Sequence, residues 1–217
     1  MMIRLFERVI LVKCDGALKI FQLHIRSIYN VTFIINFLVG HLKTFSLWIT
    51  GISGAGKTTL ATTINNILNS NNYLSVILDG DSIRNQMNKD LGFSMEDRDE
   101  NIRRIACMSE LLSQQKIITI VSVISPMKHQ RAFAKKVYGQ NFNEVYLKAP
   151  IARCIEKDVK GLYKKALEQK DSDFTVLSSP YEEPENPDLL IDTNLNNIEQ
   201  SAQILIDFLQ KKYKIKL

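Results

Sequence analysis

The chain has 217 residues, of which 45% are hydrophobic and 24% charged, and this composition is that of an ordinary globular protein. The length suits one α/β domain with some additional residues. The formal net charge of +5 is unevenly spread, since residues 1–43 carry six basic and two acidic side chains (+4) and the remainder only +1. A core that is nearly neutral disfavours nucleic-acid binding, because that function needs a dense basic surface.

Three cysteines, Cys14, Cys107 and Cys154, lie far apart in the sequence. They form neither a C-x-x-C pair nor the spacing of a metal site. Such cysteine usage suits a reducing compartment, so we expect a cytoplasmic protein.

The opening segment, residues 1–43, is the least informative part of the chain. Its most apolar run, residues 28–39, is about 12 residues long, whereas a helix needs roughly 20 to cross a bilayer. Charged residues precede this run and no small-residue cleavage site follows it, which disfavours a signal peptide. We expect no stable membrane insertion. Three interpretations remain open: an extension that packs on the core, a membrane-surface segment, or translated sequence upstream of the true start.

Residues 51–58 read Gly-Ile-Ser-Gly-Ala-Gly-Lys-Thr and match the nucleotide phosphate loop, G-x-x-x-x-G-K-[ST]. An apolar segment of strand character, residues 45–50, precedes the motif, and residues 59–68 carry apolar side chains at helical spacing. Strand, loop and helix in this order are the context in which the motif binds phosphate. The glycines let backbone N–H groups turn toward phosphate oxygens, and the helix N-terminus adds partial positive charge.

This loop predicts ATP binding through its backbone and two side chains. Lys57 would reach the β- and γ-phosphates, and the Thr58 hydroxyl would ligate Mg²⁺. The predicted ATP-binding residues are Gly51, Ile52, Ser53, Gly54, Ala55, Gly56, Lys57 and Thr58.

A second predicted strand, residues 74–78, ends in Asp79-Gly80-Asp81. The carboxyl end of a parallel strand lies beside the phosphate loop in such folds. Carboxylates there would hold Mg²⁺ through water or accept a proton from an attacking hydroxyl. Asp79 and Asp81 are both candidates for these two roles.

A cationic segment follows, with Arg84, Arg98, Arg103 and Arg104 close together in sequence. Arginine forks bind phosphate well, although Arg103 and Arg104 have the alternative of a solvated helix face. Arg98 lies three residues before Asn101 at the start of a helix that we predict over residues 101–114, so both share one face. Phe93, which follows a glycine in a loop, would stack on a base or anchor the loop.

Several motifs together make the chain similar to the adenylylsulfate kinase family. They are the phosphate loop with a second threonine, Leu-Asp-Gly-Asp-x-x-Arg (78–84), Leu-Gly-Phe-Ser (91–94), Asp-Arg-x-Glu-Asn-Ile-Arg-Arg (97–104), Ile-Ser-Pro (124–126) and Lys-Gly-Leu-Tyr-Lys-Lys-Ala (160–166). The resemblance covers about residues 44–213. It implies a P-loop kinase domain over residues 44–217, preceded by an N-terminal extension of unknown role at residues 1–43.

The resemblance implies an α/β fold of the nucleoside-monophosphate-kinase type, with a parallel sheet of about five strands flanked by helices. The implied reaction is ATP-dependent phosphorylation of the ribose 3′-hydroxyl of adenylylsulfate, which yields 3′-phosphoadenylylsulfate for sulfate assimilation. ATP and adenylylsulfate are the expected partners and Mg²⁺ is the expected cofactor. Members of the family often dimerise, so a homodimer is the corresponding expectation.

The resemblance also implies roles for individual residues. Lys57, Asp81 and Ser125 would be catalytic, although we expect Ser125 to contact substrate rather than to carry a covalent phosphoryl group. Phe93 and Phe174 would enclose the adenine of the acceptor. Arg84, Arg98 and Asn101 would hold the sulfate-phosphate end of the same molecule. The substrate-binding set is Asp81, Arg84, Phe93, Arg98, Asn101, Ile124, Ser125, Lys164 and Phe174.

The chain departs from the family pattern at several loops. Met127-Lys128 stands where the family often has Tyr-Arg, Lys148 where it has Asp, and Val176 and Ser178 where it has Gly and Asp. An alternative is therefore a related kinase acting on another nucleotide-linked anion, such as the cytidine diphosphoramidate kinases of capsule modification. A non-catalytic nucleotide-binding module is a second alternative, against which the intact phosphate loop argues.

Overall fold

The computed structural model describes residues 4–6, 9–14, 17–22, 44–158, 161, 163–164 and 180–217. No helix within those ranges is both long and apolar enough to cross a membrane. In chain order the elements are β1 (Arg4–Phe6), β2 (Val9–Cys14), β3 (Ala17–Gln22), β4 (Ser46–Thr50), α1 (Lys57–Ser70), β5 (Ser75–Asp79), α2 (Gly80–Gln86), α3 (Met95–Gln114), β6 (Ile118–Ser122), α4 (Lys128–Tyr138), a 3₁₀ turn (Gly139–Asn141), β7 (Phe142–Lys148), α5 (Ile151–Lys157), β8 (Leu189–Asp192) and α6 (Ile198–Tyr213).

Residues 1–39 form a compact unit of their own, in which the described strands make an antiparallel sheet of order β1-β2-β3. β2 and β3 pair from Val9 opposite Gln22 to Cys14 opposite Ala17. These strands were not predicted from the sequence. The apolar run at residues 28–39 lies outside the described residues, so the interpretations of the opening segment stay predictions.

The second unit, residues 40–217, contains a parallel sheet of five strands in the order β5-β6-β4-β7-β8. The central strand β4 pairs with β6 and with β7, and its Leu47 lies opposite Ile120 and Asn143. Parallel strands bring their carboxyl ends to one edge, so the segments that follow β4, β5 and β6 meet there. The predicted α/β fold with a parallel sheet of about five strands is confirmed.

The sheet is buried on both faces, which explains why every residue of β4 is buried. Successive side chains of a strand point to opposite faces, so Leu47 and Ile49 enter one core and Trp48 enters the other. α1 and α6 cover the first face and α3 and α4 the second. Their core contacts are Leu60, Ile64, Leu68, Leu205 and Leu209 on one side and Ile102, Ile105 and Ala134 on the other.

Two helices begin differently from the sequence prediction, and a side-chain cap explains each start. α2 was not predicted; it follows β5 directly because the Asp79 carboxylate accepts the N–H of Ser82 at 3.1 Å. α3 begins at Met95 rather than at Asn101, because the Ser94 hydroxyl accepts the N–H of Asp97 at 3.2 Å. The Asp79 cap places α2, which carries Arg84, directly after the carboxyl end of β5.

Candidate active site

The phosphate loop joins β4 to α1 in a conformation that requires glycine. A side chain at Gly51 would place its Cβ 2.6 Å from the carbonyl oxygen of Leu147, which is too close for any other residue. Gly56 precedes α1 with φ +94°, a conformation that L side chains rarely adopt. No side chain caps the N-terminus of α1, and its orphan N–H groups suit an anion.

The two loop side chains predicted to act on ATP lie at the start of α1. The Lys57 ammonium donates a hydrogen bond of 2.8 Å to the carbonyl of Ile52, so the side chain folds back over the loop. The Thr58 hydroxyl donates to the Asp79 carboxylate at 3.0 Å and lies 3.4 Å from the Ser122 hydroxyl. Oxygen ligands from α1, β5 and β6 therefore converge at one point.

This oxygen-rich point fits Mg²⁺. Proteins bind that ion through one or two carboxylates, with substrate phosphates and water completing the shell. Thr58 and Asp79 provide a hydroxyl and a carboxylate of this kind. No group of three or more His, Cys, Asp or Glu side chains that could hold a metal is found in the described part of the chain. Asp79 is one of the two carboxylates predicted to hold Mg²⁺ through water or to accept a proton, and the hydrogen bond from Thr58 puts it beside this point.

Asp81, the predicted base, lies in the first turn of α2 and faces solvent. Its negative charge acts on Arg84 one turn further along the same helix. Asp81 is thus placed between the end of β5 and the cationic segment, and its catalytic role stays a prediction.

Arg84, Phe93 and Arg98 come together on one rim of the sheet edge. The Arg84 guanidinium lies over the Phe93 ring, 5.0 Å from its centroid, and also donates to the carbonyl of Gly92. Arg98 donates through Nε to the carbonyl of Phe93 at 2.9 Å. Partial burial, and then the positive charge of Arg98, lower the pKa of Arg84. Two cations held beside an aromatic ring that is 61% exposed suit an aromatic anion.

Asn101, predicted to share a face with Arg98, is buried in α3, and its substrate contact stays a prediction. Its side-chain oxygen accepts a hydrogen bond of 2.9 Å from Asn88. Arg103 and Arg104 both pair with Glu100, which they hold at a pKa of about 2. Arg103, whose side chain is half exposed, fits the solvated helix face that was its alternative interpretation. Arg104 is less exposed and also pairs with Asp90 at 2.7 Å, so it ties α3 to the loop before it.

Ser125 is only 1% exposed, and its surroundings favour a structural role for its hydroxyl. The Ser125 oxygen accepts from the Trp48 indole at 3.1 Å and donates to the Thr50 hydroxyl at 3.1 Å. Its φ of +38° is strained for a non-glycine residue. The Thr50 hydroxyl also donates to the carbonyl of Ile124 at 2.5 Å, so β4 holds this whole turn. The predicted substrate contacts of Ile124 and Ser125 stay predictions.

Arg131 holds the same turn from the other side. Its side chain is 4% exposed and donates to the carbonyls of Ser125 at 2.8 Å and Pro126 at 3.1 Å, and to that of Glu182 at 2.7 Å. Lys128, which stands where the family has arginine, is ion-paired with Glu185. The turn after β6 is therefore tied to the segment before β8.

A cavity of about 290 Å³, which the sequence analysis missed, lies on the outer side of the phosphate loop. Arg153 of α5 borders it and donates to Thr193 and Asn194 in the turn after β8. The lining residues are Gly54, Ala55, Gly56, Thr59, Leu60, Leu147, Ala149, Arg153, Cys154, Lys157, Thr193, Asn196, Asn197, Ile198 and Ser201. The one available signal was position, because ligands bind beyond the carboxyl ends of parallel strands and Thr193 follows such an end.

Residues 158–166, called here the basic segment, are described only at Asp158, Gly161, Tyr163 and Lys164. Lys164 is exposed, and its backbone N–H donates to the Asp158 carboxylate at 2.9 Å. Phe174, together with the departures at Val176 and Ser178, lies outside the described residues. Of the two aromatic rings predicted to enclose the acceptor base, the structure describes only Phe93, and the role of both rings stays a prediction.

Residues 43–192 match the family described as adenylylsulphate kinase. The chain is 46% identical over 175 residues to the adenylyl-sulfate kinase of Halothermothrix orenii, covering 81% of this chain and 94% of that protein. It is 43% identical to the adenylyl-sulfate kinase of Bacillus licheniformis, covering 79% and 88%. The structure of the Mycobacterium tuberculosis APS kinase in complex with AMPPNP and APS superposes with a TM-score of 0.74 at 39% identity, covering 77% of this chain and 98% of that one. The chain belongs to the adenylylsulfate kinase family.

Proposed function

We propose that this chain transfers the γ-phosphoryl group of ATP to the ribose 3′-hydroxyl of adenylylsulfate, releasing ADP and 3′-phosphoadenylylsulfate. The observation that carries the proposal is the position of α2, which links the phosphate loop to Arg84. α2 is capped by Asp79, which bonds Thr58 of the phosphate loop, and it carries Arg84 about 7–8 Å further along its axis. That spacing suits a phosphoryl transfer between two ligands bound side by side.

On the donor side, the phosphate loop would hold the ATP phosphates with its backbone N–H groups and with Lys57. On binding ATP, the Lys57 ammonium would leave the Ile52 carbonyl and donate to the phosphate oxygens instead. There it would stabilise the negative charge that develops during transfer. Mg²⁺, held by Thr58 and Asp79, would neutralise phosphate charge when bound. The cavity beside Arg153 would take the nucleobase of ATP, because it opens directly from the loop.

On the acceptor side, the rim formed by Arg84, Phe93 and Arg98 fits adenylylsulfate group by group. The two guanidinium forks would bind the sulfate-phosphate end, and the exposed Phe93 ring would stack on the adenine. Asp81 would orient or deprotonate the 3′-hydroxyl, since it lies between this rim and the phosphate loop along the chain. Lys164 of the basic segment and Phe174 belong to the same proposal as further contacts.

The test is an ADP-release assay on the full chain with Mg-ATP and one acceptor at a time. Adenylylsulfate is compared with cytidine and uridine nucleotide anions, because a related kinase would share the donor site and differ in the acceptor. Saturable turnover with adenylylsulfate supports the proposal; turnover with a pyrimidine nucleotide alone contradicts it. Lys57→Ala is the control, and turnover that survives this change would contradict the role of the phosphate loop.

We place the kinase domain in residues 44–217, the reaction in the cytoplasm and the product in sulfate assimilation. We expect the protein to be a homodimer. Light scattering on the purified protein tests the last point, because a homodimer has twice the mass of one chain.

A further inference from the structure

One backbone carbonyl of the phosphate loop accepts a hydrogen bond from Tyr163, a residue of the basic segment. The Tyr163 side chain is 1% exposed, and its hydroxyl donates to the carbonyl oxygen of Ser53 at 2.9 Å. Burial raises the pKa of Tyr163 to about 12, so the hydroxyl keeps its proton at neutral pH and remains a donor. α5 packs closely against the next residue of the loop, Gly54: a Cβ added there would lie only 3.2 Å from the Cβ of Cys154.

Tyr163 is itself held in place by hydrogen bonds to Asp158, the residue that follows α5. The Asp158 carboxylate accepts the backbone N–H groups of Tyr163 at 3.1 Å and Lys164 at 2.9 Å. The Asp158 carbonyl accepts the N–H of Gly161 at 2.8 Å, and Gly161 adopts φ +63°. Such side-chain and backbone bonds fix the direction in which the chain leaves α5. The tyrosine ring therefore enters the space behind the loop in a set orientation.

The bond from Tyr163 determines the orientation of one peptide group in the loop. A trans peptide is planar, so the carbonyl of Ser53 and the N–H of Gly54 point in opposite directions. The hydrogen bond from Tyr163 holds that carbonyl on the side of the loop that faces Tyr163. The Gly54 N–H therefore points to the opposite side of the loop, where a phosphate of ATP would bind. Gly54 has φ +77° and no Cβ to resist a flip of this peptide, so an external restraint matters more here than elsewhere.

We propose that Tyr163 is a positioning residue, whose hydroxyl sets the Ser53–Gly54 peptide so that the Gly54 N–H faces the phosphates of the nucleotide. The inference rests on the proposed use of the loop to bind ATP and not on the identity of the acceptor. It also means that the base of the basic segment and the donor site are directly connected, because Lys164 follows Tyr163 in the chain.

The test compares Tyr163→Phe with Tyr213→Phe in the full chain. Tyr213 is a matched control: its hydroxyl is hydrogen-bonded to the Asn143 side chain at 2.8 and 3.0 Å, at the opposite, amino end of β7. Binding of Mg-ADP is measured by calorimetry, below the melting temperature of both variants. We expect Tyr163→Phe to bind roughly threefold to tenfold more weakly, the usual effect of one hydrogen bond, and Tyr213→Phe to bind like the unmodified chain.

Nuclear magnetic resonance on protein labelled with ¹⁵N at glycine gives a second readout, and the chain has only 9 glycines to assign. Tyr163→Phe should shift the amide signal of Gly54, while that of Gly139 stays in place. Unchanged Mg-ADP affinity with an unshifted Gly54 signal would overturn the proposal, and so would equal loss of affinity in both variants. Failure of the unmodified chain to bind Mg-ADP would overturn the donor site as well. If binding follows the expectation but adenylylsulfate gives no turnover, only the acceptor assignment fails.

Discussion

The Thr58 hydroxyl and the Asp79 carboxylate are 3.0 Å apart, and their hydrogen bond ties the start of α1 to the end of β5. The same carboxylate caps α2 by accepting the N–H and hydroxyl of Ser82, both at 3.1 Å. One side chain thus joins the phosphate loop to the helix that carries Arg84. Through these contacts Asp79 links the first residues of α1 to the first turn of α2.

Asp79→Asn should weaken the use of Mg²⁺ while leaving the fold intact. Asparagine still accepts hydrogen bonds and is a good helix cap, but the negative charge beside Thr58 is lost. We expect the Mg²⁺ concentration at half-maximal rate to rise about 10-fold or more, as for other groups that support a metal site. Titration of the rate with MgCl₂ measures this. Asp207→Asn, on α6, removes an equal charge elsewhere and should change nothing; the same response in both would refute a metal role for Asp79.

Asp81→Asn should lower kcat without changing the affinity for Mg-ADP. The carboxylate is exposed in the first turn of α2, so its loss costs the fold little, whereas a positioned base contributes about 100-fold or more to a rate. Steady-state rates with saturating ATP and adenylylsulfate, together with Mg-ADP calorimetry, separate the two effects. A near-normal kcat would show that Asp81 is neither base nor orienting group.

The donor loop could be predicted from the sequence because its signals are local: glycines, a lysine and a hydroxyl within eight residues, between a strand and a helix. The burial of Ser125 could not, since it depends on Trp48 in a strand far away along the chain. The cavity beside Arg153 is likewise assembled from α5, the loop and the turn after β8, and none of these carries a motif of its own. The early start of α3 was not predicted, because the interpretation of the sequence placed Ser94 in a loop, whereas its hydroxyl caps the helix.

Phe93→Ala should raise the KM for adenylylsulfate and leave the KM for ATP unchanged. The ring is 61% exposed, so its removal leaves no cavity, but stacking on a base is worth about 1–3 kcal/mol. Loss of the contact with Arg84 would add to the effect, because that guanidinium lies 5.0 Å from the ring centroid. Leu111→Ala, at another exposed apolar residue, is the control and should keep both constants. An unaltered KM for adenylylsulfate in Phe93→Ala would exclude stacking.

A chain that begins at residue 44 should keep the full rate and thermal stability of the kinase. Residues 1–39 and 40–217 are separate compact units, and every strand of the parallel sheet lies in the second. Kinetics and thermal melting of the shortened and full chains provide the comparison. A lower rate or melting temperature in the shortened chain would mean that the opening segment supports the working fold.

Arg131→Met should destabilise the protein strongly, and more so at higher pH. Arg131 lies 2.9 Å from Glu144, with side chains 4% and 14% exposed, and removing one partner of a buried pair costs about 3–5 kcal/mol. Burial raises the pKa of Glu144, although the charge of Arg131 opposes the rise. Without Arg131 the pKa of Glu144 should rise further, because only the effect of burial then remains large.

The sign of the pH dependence follows from this raised pKa. A carboxyl whose pKa is higher in the folded than in the unfolded state favours folding below its unfolded pKa, and this contribution is lost as the pH rises through the folded pKa. Denaturant unfolding at about pH 5 and about pH 8 should therefore show a smaller loss of stability in Arg131→Met at the acidic value, where Glu144 takes up a proton. Arg103→Met, which breaks an exposed ion pair with Glu100, is the control and should have little effect at either pH. An equal loss at both pH values would show that the lost hydrogen bonds to Ser125, Pro126 and Glu182, rather than the charge of Glu144, account for the destabilisation.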